Sequence, residues 1–387
     1  MSEARPAQNR EYIAALTGLR GVAAFFVFLY HYEALHPGIR LDLLIPYVGV
    51  ILQFPLGLGF VGVDLFFVLS GFLLTLPFAR AALGLGPKPA LPRYFKRRFL
   101  RVFPAYYAQF FIILLAGAWF LSWRAQTPTS LVAHLLMFFN IGWAPVRPMV
   151  GVWWTLPVEM GFYLFLPLLA PFMRLNRWPW ALLVGLMVTV LYRAWAAVHF
   201  GPESTTAAFL AASQLPGNLA EFMFGATAAI AIQSFSLKQR PKPAPWLLDL
   251  MVVLGLVLPA IWLWKVVLAS GAEYWLGHWS MLVSPLVIGL CLSVAVLGVY
   301  WGSRIGHFLF ANRFVYFLGL ISYSLYLWHF IVMQQVQVLV GGPYDELSHG
   351  VTFPLSVTTV LAVATISYFL IERPFYRLKS YREIASQ

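Results

Sequence analysis

Ten stretches of about 18 to 25 largely apolar residues follow one another along this chain, near 12–34, 55–79, 102–123, 152–173, 179–199, 209–233, 246–268, 279–300, 314–340 and 352–372. Each is long enough to cross the hydrocarbon core of a bilayer as a helix. A chain of 387 residues with 61% hydrophobic and only 10% charged residues, and a mean hydropathy of +0.77, is too apolar for a water-soluble fold. Inside lipid the backbone must satisfy its own hydrogen bonds, which leaves helices as the form of these stretches. The expected fold is therefore an all-α polytopic membrane protein of about ten transmembrane helices, forming a single domain over 1–387 with short tails near 1–11 and 373–387. The run from Leu131 to Ile141 is too short to cross and is expected to be re-entrant or interfacial.

The basic residues set the orientation. Alternating the spans puts about 20 of them on one side, from Arg5 and Arg10 through Arg80, Lys88 and Arg93 to Arg373 and Arg377, and leaves Arg40, Arg124, Arg147, Arg193 and Lys265 on the other. Both termini are then expected in the cytoplasm, the chain lying in a plasma membrane, the inner membrane of a bacterium. The net charge of +12 becomes a consequence of topology. It favours anionic lipid and inward-facing anionic ligands, and with the basic residues dispersed over membrane loops it gives no reason to expect nucleic acid. Arg20 interrupts the first apolar run, so the amino terminus reads as a retained helix, not as a cleaved signal. Cys291 stands alone in an apolar span and reads as a small core residue.

Arg20 and His31 share one helix. Eleven residues return to within about 20° of the starting direction and rise about 16 Å, so both side chains lie on one face, Arg20 at inner to middle depth and His31 near the outer end. An ionisable group inside a bilayer costs roughly 2.5 to 3.5 kcal/mol, so it turns to a partner, a cavity or a substrate path. Neutral imidazole can take a proton from a hydroxyl at physiological pH. A lone interfacial histidine bonding to headgroups is the plain alternative.

Two carboxylates are expected at matching depth. Asp64, in the block Gly62 to Phe72, enters from outside and can orient His31, bind an acceptor hydroxyl, or neutralise a buried cation such as Arg20. Glu159, after Trp153-Trp154-Thr155, can be an acid or base, an acceptor clamp, or the ion-pair partner of Arg20. Three such groups facing lipid would cost on the order of 10 kcal/mol, so a shared polar cavity is expected. Gly62 and Gly71 are expected to let helices pack closely. At the inner face the segment Arg93 to Pro104, read as lying between two spans, carries Arg97, Arg98 and Arg101; Arg98 and Arg101 share a face at i and i+3. Arginine forks match phosphate, so this segment can bind the phosphates of a donor such as coenzyme A, or it can simply anchor to anionic lipid. His134, Asn140, Ser322, His329 and Glu372-Arg373-Pro374 remain open between structure and function, and no metal-ligand pattern is visible.

Together, the Arg20-x10-His31 pair, the block Gly62 to Leu74, Arg98-x-x-Arg101, Trp154-x4-Glu159-x3-Tyr163, Ile321 to His329 and Glu372-Arg373-Pro374 resemble the acyltransferase-3 family of integral membrane proteins. The resemblance covers nearly the whole chain. It implies an acyl-CoA donor used from the cytoplasmic side, acetyl-CoA first among them, and an acyl group delivered to a hydroxylated acceptor at the outer side. It also implies His31 as catalytic base or transient acyl carrier, Arg20 and Glu159 supporting the site, and Arg97, Arg98 and Arg101 at the donor. Some relatives continue into an extracytoplasmic hydrolase-like domain, whereas this sequence ends about 15 residues past its last span. The expected function is O-acetylation of a cell-envelope or secreted glycan, in contact with membrane lipid. Rival readings are O-acylation of a small natural product such as a macrolide, and transport of a glycan or acyl donor without chemistry.

Overall fold

The computed structural model describes residues 4–36, 41–45, 50–54, 56–116, 127–142, 146–201, 204–340 and 346–376. Residues 117–123 of the expected third span, Arg40, Arg124 and the tail beyond 376 lie outside the described residues. Among those described, nine helices are long and apolar enough to cross a membrane, and the number is ten if a helix pair bent by 76° counts as one broken span. The expected all-helical membrane architecture is what the chain adopts. The strands among the described residues are a short antiparallel ribbon, β1 (Leu41–Ile45) and β2 (Val50–Phe54), with Leu41 opposite Phe54.

The helices run α1 (Ala4–Leu35), α2 (Val61–Ala82), α3 (Leu91–Ala116), α4 (Pro128–Leu135), α5 (Thr155–Leu169), α6 (Trp178–Phe200), α7 (Thr205–Ala212), α8 (Leu215–Leu237), α9 (Pro245–Trp262), α10 (Trp279–Trp301), α11 (Arg304–Phe310), α12 (Arg313–Leu320), α13 (Ser322–Val340) and α14 (Glu346–Ser367). Helices α1, α2, α8, α10 and α13 pack centrally. The outer faces of α6 and α9 stay apolar and uncovered, with Trp180, Leu191, Val198, Leu258 and Ile261 exposed, as lipid contact requires.

Helices α2 and α8 meet at backbone contact. A Cβ on Gly71 would stand 2.2 Å from the Phe222 carbonyl oxygen, and one on Gly225 would stand 2.1 Å from that of Val68. Only glycine fits at either crossing, in the manner of small-residue interfaces between membrane helices. Gly62 does the same for α1, where a Cβ would meet the Ala23 carbonyl at 2.2 Å. These contacts hold Asp64 and Ser70 of α2 at fixed distance from α1 and α8.

Three boundaries differ from the sequence reading. Helix α3 begins at Leu91, eleven residues before the expected 102, so the basic segment 93–101 forms its first turns and is not a loop; burial of Val102, Tyr106, Gln109 and Ile113 along one face carries the helix outward. The expected span 209–233 is divided into α7 and α8 at Ser213 and Gln214, where Gln214 is extended and Pro216 opens the next helix. The expected span 314–340 is bent at Ile321 between α12 and α13. The short run at 131–141 becomes the eight-residue α4 followed by irregular chain, matching a non-crossing piece.

Candidate active site

His31, in the last two turns of α1, faces His329 of α13. His329 Nδ1 lies 2.7 Å from the Tyr326 carbonyl oxygen and 3.2 Å from that of Leu325. Facing two acceptors, this nitrogen carries the proton, which leaves Nε2 of the neutral ring as an acceptor. His329 Nε2 is 3.2 Å from His31 Nδ1, which is itself 2.9 Å from the Val27 carbonyl oxygen. His31 Nδ1 therefore donates to both, and His31 Nε2 keeps its lone pair. Phe330 and Tyr30 stack edge-on against the His31 ring, fixing its plane. His329 is fully buried, while His31 is open on one side.

That open side is the wall of a cavity of about 760 Å³. Its lining combines aromatic faces, among them Tyr30, Trp154, Trp275 and Phe330, with Glu33, Asp64, Arg193, Ser213 and Asn218. His31 and Asp64 thus share a cavity, as their depth suggested. Arg193, which charge counting puts on the outer side, is a buried residue of α6, 5% exposed, whose guanidinium bonds carbonyls within the bundle.

Arg20 and Glu159 line a second, smaller pocket of about 50 Å³ with Ser70, Arg101, Ser322 and Tyr323. The single polar cavity expected for His31, Asp64 and Glu159 is therefore two. Val63, Phe67 and Tyr326 belong to both and form the wall between them. The reason lies in α5: a tight turn, Gly151–Trp154, precedes it, so the helix starts at Thr155 and Glu159 enters one turn below the outer cavity. Glu159 Oε1 accepts from Ser70 Oγ at 3.1 Å and from Tyr163 OH at 2.5 Å. Arg20, Arg101 and Glu159 line the same pocket, which therefore holds two cations and one carboxylate.

The arginines at the inner end divide in the same way. Arg101 reaches the small pocket; Arg98, one turn back, lies over the Tyr163 ring at 5.9 Å, and its Nε is buried without an acceptor among the described residues. Arg97 shares this first part of α3 but does not line either cavity. Tyr163 thus links the Arg98 side to Glu159.

Other residues left open by the sequence take structural places. His134 donates from Nδ1 to the Ser130 carbonyl at 2.7 Å and accepts the Met149 amide on Nε2 at 2.9 Å, pinning α4 to the segment before α5. Burial holds its pKa below the ordinary histidine value. Glu372 accepts from Ser324 and from Tyr376 OH, and Ser367 receives the Trp328 indole at 3.0 Å, which clamps α13 to α14. Asn140 has a left-handed backbone, φ 50°, and its side-chain amide has no hydrogen-bond partner among the described residues.

Sequence reasoning missed Arg193 and Glu221, each ionisable and each inside an apolar run. The rule that singled out Arg20 and Asp64 applies equally to them. The contact between His31 and His329 carries no local signal, since the two rings meet only through the packing of α1 on α13.

Comparison with known proteins gives a consistent result. Residues 13–373 match the family described as an acyltransferase domain. The chain is 23% identical, over 97% of its length, to the O-acetyltransferase OatA of Staphylococcus aureus strain NCTC 8325, and equally to that of strain COL. It is 24% identical, over 95% of its length, to a second protein of strain COL that is named provisionally as an O-acetyltransferase. The chain spans 58% of the length of these relatives. No solved structure matches it.

Proposed function

Since the chain belongs to the acyltransferase-3 family, we propose that it is a membrane-bound, acyl-CoA-dependent O-acyltransferase that esterifies a hydroxyl of a cell-envelope or secreted glycan, with acetyl as the group transferred. The observation that carries this reading is the free Nε2 of His31. Its lone pair is fixed by the relay through His329 and faces a cavity large enough for a sugar.

The chemistry follows from that atom. The acceptor hydroxyl gives its proton to His31 Nε2 as its oxygen attacks the thioester carbonyl. The C–S bond breaks, an ester C–O bond forms, and the thiolate takes the proton back from His31. Atoms and charge balance, and the histidine ends as it began. His329 stabilises the transient imidazolium through its contact with Nδ1, the part a carboxylate plays in other histidine-based sites.

Donor and acceptor suit opposite ends of the bundle. Arg98 and Arg101 offer guanidinium groups at the arginine-rich end, where the phosphates of a nucleotide donor would be met. The positive-inside rule makes that end cytoplasmic, with both termini on the same side and the outer cavity toward the far leaflet. A thioester arm would then run past Arg20 and Glu159 to the wall of Val63, Phe67 and Tyr326, and rotation of these side chains would bring it to His31. Aromatic faces beside hydrogen-bonding groups in the outer cavity suit a polyhydroxylated ring, whose C–H faces are apolar and whose edges are not.

The test is direct. Purified protein in lipid nanodiscs is given radiolabelled acetyl-CoA and a de-esterified glycan extract from cells that lack the protein. Alkali-labile label on glycan, absent with His31→Ala, supports the reading. Label accumulating on His31 with acetyl-CoA alone would make that residue an acyl carrier instead of a base, and no label in any fraction would contradict transfer.

A further inference from the structure

Aromatic side chains of the outer cavity stand in an unbroken file along its wall. Ring centroids lie 6.2 Å apart between Phe67 and Trp154, 5.4 Å between Trp154 and Phe209, 4.9 Å between Phe209 and Trp275 and 4.8 Å between Trp275 and Tyr274, each ring nearly perpendicular to the next. Every ring of the file lines the cavity. Core packing would bury them all, as it buries Phe67 to 3% and Tyr274 to 6% exposure. Trp154, Phe209 and Trp275 are instead half-buried, so successive rings leave surface open to the cavity.

The file has a near and a far end. At the near end Trp154 closes the turn Gly151–Trp154. Gly151 faces Phe330, a Cβ on it standing 4.0 Å from that ring, and Phe330 is edge-on to His31 at 5.3 Å. At the far end Tyr274 and Trp275 belong to the tight turn Gly271–Leu276. Gly271 and Gly277, at φ 52° and 101°, supply the left-handed backbone that bounds this turn, and Ser270 Oγ lies 3.1 Å from His278 Nδ1 across its base. The turn is thereby closed on itself, with Trp275 set against Phe209 of α7. Polar groups run beside the rings: Ser213, one turn beyond Phe209, lines the cavity with Asn218 and Arg193. Arg193 directs its Nε, Nη1 and Nη2 each to one acceptor, the Gly217 carbonyl, the Met281 carbonyl and Asn218 Oδ1, which leaves N–H hydrogens of both Nη atoms without a bond among the described residues.

We infer that the outer cavity takes an oligosaccharide and not a single sugar: the ring that receives the acyl group lies beside Trp154 at His31, and a neighbouring ring of the same chain lies against Trp275. The inference rests on the transferase reading above. At about 760 Å³ the cavity falls in the upper part of the range of about 300–1,000 Å³ usual for ligand sites, and one sugar at His31 would leave Phe209 and Trp275 uncovered. The half-open rings meet the apolar C–H faces of the sugars, while Ser213, Asn218 and Arg193 meet their hydroxyls. Trp275, two rings along the file from Trp154, sets specificity without touching the reacting atoms.

The experiment measures transfer from radiolabelled acetyl-CoA to a partial hydrolysate of de-esterified glycan extract, separated by size into single sugars and short oligosaccharides, with size-exclusion profiles of the protein as the folding control. For wild-type protein the half-saturating concentration of the oligosaccharides is expected to be at least about tenfold lower than that of the single sugars, the worth of one aromatic anchor. Trp275→Leu, which keeps apolar bulk without a flat ring, is expected to bring the two within about twofold of each other. Trp275→Tyr, which keeps a flat ring, is expected to retain a preference of at least about threefold. Equal half-saturation by both fractions in the wild type, a full preference retained in Trp275→Leu, or a tyrosine variant as unselective as the leucine one would each overturn the inference. If the leucine variant is not monodisperse, the wild-type comparison and Trp275→Tyr decide by the same criteria. A wild type that labels neither fraction is a different outcome, and it overturns the transferase reading together with this inference.

Discussion

His329 Nε2 stands 3.2 Å from His31 Nδ1, joining residues 298 positions apart. Each ring also meets main-chain carbonyls of its own helix through Nδ1, so the order of donors and acceptors has one solution in the neutral state. His31 is left with its free nitrogen toward the outer cavity. In the proposed reaction this relay would let His329 act through His31 without contact with substrate.

His329→Ala is accordingly expected to lower the rate of transfer by about 10²-fold, the lower part of the range for a general base. The half-saturating acetyl-CoA concentration should stay within about twofold, since His329 lies away from the arginine end. His329→Gln, which offers a carbonyl oxygen to His31 Nδ1, should recover part of the loss. Initial rates in nanodiscs check this, and equal damage to donor saturation would point to a folding defect.

Arg20 and Glu159 form an electrostatic unit in the inner pocket. Removing the carboxylate leaves the two cations of this pocket, Arg20 and Arg101, facing each other with no opposite charge between them. Glu159→Ala should therefore lower the thermal unfolding temperature strongly, and Arg20→Ala/Glu159→Ala should lose less than the two single changes added together. Additive losses would mean that the two do not sense each other.

Arg98→Ala should raise the half-saturating acetyl-CoA concentration by roughly 10- to 100-fold, the worth of a charge-assisted hydrogen bond. The turnover at saturation should change little. Donor titrations with acetyl-CoA decide between a phosphate contact and plain attachment to anionic lipid, for which no shift would be seen.

Gly71→Ala places a methyl group 2.2 Å from the Phe222 carbonyl oxygen. Because the obstacle is backbone, α2 and α8 must separate, at a cost of about 1–3 kcal/mol or more. A lower unfolding temperature together with lost transfer is expected, the latter because the same crossing positions Asp64.

Burial lowers the pKa of His134, so the folded protein binds its proton less readily than the unfolded chain. Its contribution is complete above the ordinary histidine value near 6.5 and is lost as pH falls below it. Protonation would also turn Nε2 from acceptor to donor against the Met149 amide. Thermal unfolding followed between pH 7.5 and 5 should show destabilisation on acidification that is smaller in His134→Gln.

The helices were legible because lipid imposes one simple rule on length and polarity. Their breaks were less so. The bend at Ile321 and the division at Ser213 and Gln214 lie within runs that remain apolar throughout, so hydropathy passes over them. Depth arithmetic correctly joined His31 and Asp64, because both sit on helices that cross without interruption. It misplaced Glu159 relative to them, since the turn Gly151–Trp154 delays the start of α5. Counting charges puts Arg193 on the outer side, whereas Gly217 of α8 and Met281 of α10 supply it with carbonyl partners that no sequence window displays. The pairing of His31 with His329 is tertiary and could not be read from either segment.

The central claim is that His31 catalyses delivery of an acyl group to a glycan. Mass spectrometry of envelope and secreted glycans from cells expressing wild-type protein, His31→Ala or neither tests it most directly. An alkali-labile acyl increment found only with wild-type protein is the predicted result. The same increment with His31→Ala at equal protein level, or none in any glycan from wild-type cells, would contradict it.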